Sequence, residues 1–302
     1  MSTLPKDFND YWQTALAELA ALPMAAELTE LPIRSNKHGN VFGLRLTSLG
    51  AYRIFAYFCV PQGAGPFPCV VHLPRYGSVN HIPPFEERQQ YVSVQLCHRG
   101  QRLADSPYAA AYPGLLTDEL DDPVRYIFRG IVMDCARMMD FVCTRSEIDQ
   151  NHISIVGNDL ALLTAALMTA ALRPNIDSVI AHPELFLNAA EVAPTTRGYP
   201  LEEINEFTNF YSAKAAAARR TLAYFDPLHF APSVKATTLL VSGTASDVYS
   251  PERCAPLAAA LGGSVEQCIA THSSFRDGVI EARWLAHRHG LGEPVLPAHW
   301  QS

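Results

Sequence analysis

Ile153-Ser154-Ile155-Val156-Gly157-Asn158-Asp159-Leu160-Ala161 is the stretch that decides the fold of this 302-residue chain. Ile153, Ile155 and Val156 make a short apolar run of the kind that forms a buried strand. The Ala/Leu-rich stretch 160–172 that follows reads as a helix, and only Gly157, Asn158 and Asp159 separate the two. A strand meeting a helix through so tight a turn lifts one side chain, Asp159, above the sheet, with the helix N-terminus behind it. The plainer reading is that Asp159 only caps that helix. On this stretch alone both readings stay open.

Working outward, apolar runs alternate with helical patterns. Residues 67–73 and 91–96 read as strands and 127–144 as a helix. After the turn come a strand at 178–181, a mixed helical stretch at 185–223 and a strand at 238–241. A helix at 251–261, a strand at 264–270 and a helix at 275–289 close the series. Apolar strands alternating with helices predict parallel βαβ units around a buried central sheet. The region 29–61 has strand character broken by Lys37-His38-Gly39-Asn40 and by Leu49-Gly50, which predicts antiparallel strands opening the sheet. In front of it, Phe8, Tyr11, Trp12, Leu16, Leu19 and Leu22 recur at helical spacing, with Asp10 and Glu18 facing away. No linker divides the chain. The expectation is one α/β domain over 1–302 with a mostly parallel central sheet and helices on both faces. Residues 185–223 would form a small helical cap insertion. Functional groups of such sheets collect beyond the carboxyl ends of the strands.

Two further residues stand there. The strand at 238–241 runs into Ser242-Gly243-Thr244-Ala245-Ser246-Asp247, and the strand at 264–270 into Thr271-His272. Singly, Asp247 is an ordinary turn residue and His272 an ordinary helix-flanking one. Together with Asp159 they give the chain order nucleophile, acid, base of the α/β-hydrolase fold, whose strand-to-helix elbow is written G-x-S-x-G. Here it reads Gly157-Asn158-Asp159-Leu160-Ala161, so the serine and the last glycine are both replaced.

The composition, 48% hydrophobic and 18% charged, is that of a globular protein. A formal charge of -7 and the lack of a basic cluster argue against nucleic acid as a partner. The Arg219-Arg220 pair, followed by Tyr224-Phe225, reads as a helix end. The seven cysteines form no CxxC pair and read as buried free thiols of a reducing compartment. There is no metal-spacing motif, and neither a metal nor a cofactor is implied. The N-terminus shows no basic stretch followed by an apolar region, and no apolar run reaches the ~20 residues that cross a bilayer. The expected setting is cytoplasmic, away from membranes.

Several segments carry a resemblance that runs over nearly the whole chain. These are Pro5-x-Asp7-Phe8-x-x-Tyr11-Trp12, Arg99-Gly100-Gln101, Leu120-Asp121-Asp122-Pro123 with Tyr126 to Asp134, and Thr221 to Asp226 with Ala231-Pro232-x-Val234-Lys235-Ala236. They resemble the acetyl xylan esterase and cephalosporin C deacetylase family of α/β-hydrolases. The resemblance puts the family's serine on Asp159, its acid on Asp247 and its base on His272. Its oxyanion hole falls on the backbone amides of Tyr76, in Arg75-Tyr76-Gly77, and of Leu160. Its His-Glu pair becomes His272-Ser273, and Arg99 and Gln101 fall to holding loops near the site. It further implies a small-molecule substrate and a homo-oligomer built with the N-terminal region and the loop at 103–124. There, Tyr108, Tyr112 and Leu115-Leu116 offer apolar material for contacts.

An aspartate at the elbow changes the chemistry. A carboxylate attacking an ester carbonyl gives a mixed anhydride, a poor route for an unactivated acetate. It suits attack on saturated carbon instead, with His272 activating water in the second step and Asp247 supporting the imidazolium. That scheme resembles haloalkane dehalogenases and epoxide hydrolases, although those with halide sites usually have Trp where Leu160 stands. Tyr199, Tyr211 or Tyr224 from the cap region are candidate acids for opening an epoxide. Phe186, Phe207, Phe210 and Tyr211 suggest an apolar pocket. Asp159 as a non-covalent general base is a third scheme. The competing class is a catalytically inactive scaffold, with Asp159 and His272 as a static ion pair in a binding or assembly protein.

Overall fold

In the computed structural model, residues 2–157, 165–182 and 185–300 are described. The opening pattern forms α1 (Phe8–Ala20), which buries Phe8, Trp12, Ala15 and Leu19. Three strands follow, β1 (Glu27–Glu30), β2 (Gly39–Ser48) and β3 (Tyr52–Pro61), paired antiparallel in that order. Gly50 turns the β2–β3 hairpin at φ 71°, a backbone that favours glycine.

The parallel part begins with β4 (Phe67–His72) and β5 (Val92–Cys97), then α2 (Ile127–Val142), β6 (Ile148–Val156), α3 (Ala165–Leu172) and β7 (Ser178–Ala181). The stretch 185–223 holds α4 (Ala189–Val192), α5 (Glu202–Phe210) and α6 (Ala215–Ala223), with short 3-10 turns between them. After α7 (Pro227–Phe230) come β8 (Thr237–Ser242), α8 (Pro251–Ala260), β9 (Val265–Ile269) and α9 (Ser274–Arg288). β6 starts earlier than the apolar run at 153–156 because its pairing with β4 reaches back to Phe67 and Ile148, across an irregularity in register.

The nine strands form one sheet in the order β1-β2-β3-β5-β4-β6-β7-β8-β9, parallel from β5 to β9. Alternate residues of the central strands go to opposite faces, as a side-chain period of two requires. Cys69, Val71, Ile153 and Ile155 join the large core with α2 and α3, while Val70, Val156, Ile180 and Val241 pack with Leu285 of α9. Helices therefore cover both faces.

The chain leaves β4 towards β5 on one side and returns to β6 on the other. Strand order reverses at β4–β6, and the crevice beyond the carboxyl ends of such a pair is where open α/β sheets bind their ligands. The loop after β4 holds Tyr76, and in sequence Asp159 follows the end of β6 by three residues. Two hydrogen bonds carry the sheet into these loops: Leu73 N donates to Val156 O at 3.0 Å and Gly157 N to Ile180 O at 2.9 Å.

One sequence expectation needs correction. Leu115 and Leu116 of the long loop are fully buried in their own chain, so they offer no exposed apolar material. Among the described residues, all seven cysteines are free, with Cys143 and Cys268 only partly buried, and no helix is long and apolar enough to cross a membrane.

Candidate active site

Asp247 and His272 come together. His272 Nε2 lies 2.8 Å from Asp247 Oδ2. The acid sits in a tight turn after β8: Asp247 N donates to Thr244 O, and Asp247 Oδ2 accepts both the Thr244 amide and, at 2.8 Å, the Thr244 hydroxyl. Gly243 leaves room for this carboxylate, since a Cβ there would stand 2.6 Å from that of Asp247. The Thr244 hydroxyl, more than the neighbouring amide or the imidazole, holds the Asp247 carboxyl below its usual range.

His272 is positioned from behind. Asp277, in the first turn of α9, accepts hydrogen bonds from the Thr271 amide at 2.9 Å and the Thr271 hydroxyl at 2.8 Å. Ser273 caps α9 by accepting from Arg276 N. Between these two anchors His272 takes a left-handed backbone, φ 57°, a conformation costly outside glycine and held only by its surroundings. Its imidazole uses Nε2 for the carboxylate, which leaves Nδ1 to any other partner. The pair is open: the side chains of His272 and Asp247 are 60% and 35% exposed.

Tyr76 is buried. Its hydroxyl donates to Glu203 Oε1 at 2.8 Å and accepts from Leu116 N at 2.9 Å, while Glu203 Oε2 accepts from Gly114 N at 2.8 Å. Burial raises the Glu203 carboxyl above its ordinary value, against the hydrogen bonds that lower it. One carboxylate of α5 thus ties the loop after β4 to the long loop at 103–124. Sequence reading missed Glu203, since a glutamate in the first turn of a helix carries no signal of a distant tyrosine. Among the described residues the Tyr76 backbone amide has no hydrogen-bond acceptor.

Arg99 and Gln101 brace this loop and its neighbour. Gln101 is fully buried and donates from Nε2 to Arg75 O at 2.8 Å and Gly77 O at 2.6 Å, and its Oε1 accepts from Asn80 and His98 N. Arg99 makes a two-pronged ion pair with Asp134 of α2, at 3.0 and 2.7 Å, and donates to Leu49 O. Gly130, one turn before Asp134, is open because the guanidinium lies there: a Cβ would meet Arg99 Nη1 at 2.4 Å. Asp159 and Leu160 lie outside the described residues.

The sequence pattern of the acetyl xylan esterase family, AXE1, matches residues 1–257. The chain belongs to the acetyl xylan esterase family. A curated relative, acetyl esterase Axe7A of Xylanibacter ruminicola, is 22% identical over 260 residues, which cover 82% of this chain and 58% of that protein. The chain thus spans little more than half the length of that relative. Two solved structures share the fold. The acetyl xylan esterase of Paenibacillus sp. R4 has a TM-score of 0.82 at 22% identity, over 95% of this chain and 96% of that one. Acetyl xylan esterase 1 of Thermoanaerobacterium sp. JW/SL YS485 has a TM-score of 0.81 at 19% identity, over 96% of each chain. The acetyl xylan esterase family match takes in Tyr76, Asp159 and Asp247 and stops before His272.

Among the aromatic residues considered for a pocket, Phe186 is fully buried against Phe128 and Phe225. It belongs to the core and lines no cleft. Phe207, Phe210 and Tyr211 border an open groove beside Glu203, with Phe210 81% exposed. No group of three or more potential metal ligands occurs among the described residues.

Proposed function

We propose that this chain is a hydrolase in which Asp159, His272 and Asp247 form an Asp-His-Asp triad acting on a small ester, epoxide or related electrophile. Asp159 attacks carbon or serves as base, His272 activates water, and Asp247 orients and supports the imidazolium. The amides of Tyr76 and Leu160 receive developing negative charge, and residues 185–223 cap the site. The observation that carries this reading is the 2.8 Å contact between His272 and Asp247 beyond the ends of β9 and β8. A second support is the braced Tyr76 loop at the strand reversal, where open α/β sheets bind their ligands.

An Asp at the elbow makes plain acetyl ester hydrolysis a poor reaction for the native chain, whatever its relatives' names say. The test is intact-mass measurement of the His272→Ala protein incubated with ester, epoxide and haloalkane panels. An alkyl adduct that disappears in Asp159→Asn/His272→Ala establishes Asp159 as nucleophile; turnover by the native chain without any adduct assigns it the base role. Restoring serine with Asp159→Ser is expected to raise acetyl ester hydrolysis on the order of a hundredfold or more, because on this reading the acid, the base and the oxyanion amides are all retained.

A second reading, a binding protein on a retired scaffold, is favoured by the 60% exposure of the His272 side chain. It predicts no turnover by the native chain and no gain on Asp159→Ser.

A further inference from the structure

On the α9 side of the sheet lies a cavity of about 420 Å³, well within the roughly 300–1,000 Å³ of small-molecule sites. Its origin is visible in the chain. A parallel crossover usually lays a helix against the sheet, yet between β4 and β5 this one forms only a 3-10 turn, Glu87–Gln89, after the rigid Ile82-Pro83-Pro84. The space left open is walled by Pro84, Val156, Leu285, Pro297 and Trp300.

The C-terminal segment closes it. Val295 N donates to Gln90 Oε1 at 2.7 Å, and Trp300 lies so close over α9 that a Cβ at Gly278 would be 2.4 Å from its ring. Trp300 also meets Phe275 edge-on, with centroids 6.1 Å apart.

Three of the four acids around the cavity have partners. Glu87 holds His72 Nε2 at 2.8 Å, Glu281 holds His182 Nε2 at 3.0 Å, and Asp277 takes its hydrogen bonds from Thr271. Arg75, like Glu86 and His81, has no side-chain partner among the described residues, and it is the cavity's permanent cation. Its peptide is fixed, with O on Gln101 and N on Asn80, but its guanidinium makes no ion pair or hydrogen bond among the described residues. A half-buried arginine on a fixed peptide, beside an apolar and aromatic wall, is a receptor for a carboxylate with an apolar body.

We propose that this cavity binds a small organic carboxylate, its anionic group on Arg75 and its apolar or aromatic body between Trp300 and the prolines. The site is distinct from the Asp247–His272 pair but touches the chain beside it. Arg75 precedes Tyr76, Ser274 follows His272 by two residues, and both line the cavity. The inference does not depend on what Asp159 does.

Calorimetric titration of the full chain with benzoate, hexanoate, benzamide and phenethylamine tests it. Saturable binding of benzoate or hexanoate is expected, at least tenfold tighter than the neutral benzamide, with Arg75→Met weakening it at least tenfold. Ala282→Phe, which fills the cavity without removing a charge, should abolish binding while His272→Ala leaves it intact. Thermal unfolding of each variant checks that it is folded, and Arg75→Lys, which keeps the charge, should retain part of the affinity. The proposal is overturned if neither carboxylate binds by about 10 mM, or if binding survives Ala282→Phe or Arg75→Met. It is equally overturned if phenethylamine binds and benzoate does not, which would assign the cavity to Glu86, the remaining lining acid, and an ammonium ligand.

Discussion

At the scale of single residues, the acid of the candidate triad is set by a threonine. The Thr244 hydroxyl on Asp247 Oδ2 stabilises the carboxylate and lowers its pKa. A depressed carboxyl contributes stability above its unfolded value of about 3.9 that is lost as pH falls through the folded value. Thr244→Val should therefore raise the Asp247 pKa towards about 3.9, seen by NMR titration of the side-chain carboxyl. With both partners of the His272–Asp247 pair more than a third exposed, solvent screening keeps their ion pair within roughly 1 kcal/mol. Its value lies in orientation. Asp247 and His272 were legible in sequence because each follows a strand, β8 marked by an apolar run and β9 by a shorter, half-polar one. The contact of Thr244 with Asp247 was legible in principle, as residues three apart in a Gly-flanked turn. Glu203 was not: its partner Tyr76 is 127 positions away, and no local pattern records that distance.

At the scale of elements, the loops around the site are fastened to the helix behind the sheet. Asp134 is fully buried, and its ion-pair partner among the described residues is Arg99. Removing one partner of such a buried pair leaves an uncompensated charge, so Arg99→Met should cost roughly 3–5 kcal/mol. Gly130→Ala, which forces the guanidinium aside, should lose a large part of the same amount. Urea unfolding of the two variants measures both, and a loss below about 1 kcal/mol in Arg99→Met would discount the clamp. Strands and helices were legible almost throughout: α2, β7, α8 and α9 fall within a residue or two of their sequence patterns. The start of β6 was not, since residues 148–152 join the strand by pairing with Phe67, a long-range contact that overrides a polar local sequence.

At the scale of the whole molecule, burial also places an acid limit on the fold. His98 and His289 are both pushed down to about 4 by their burial. An unfolded histidine titrates near 6.5, so between pH 6.5 and 4 the unfolded chain binds more protons and stability falls as pH falls. His72, raised by Glu87 against the desolvation that lowers it, works in the opposite sense and gives only partial relief. The expected loss on going from pH 7 to 5 is on the order of a few kcal/mol. His98→Gln should shrink that loss, measured as the difference in urea midpoint at the two pH values.

The sheet distributes the candidate machinery unevenly. Tyr76 follows β4, which is flanked by β5 and β6, whereas His272 follows β9, a border strand with Glu266 and Gln267 in water that pairs, among the described residues, with β8 alone. Edge strands detach before central ones. Gentle warming should therefore peel the imidazole away while the tyrosine loop still stands, so that such a protein would fall silent well before it melts.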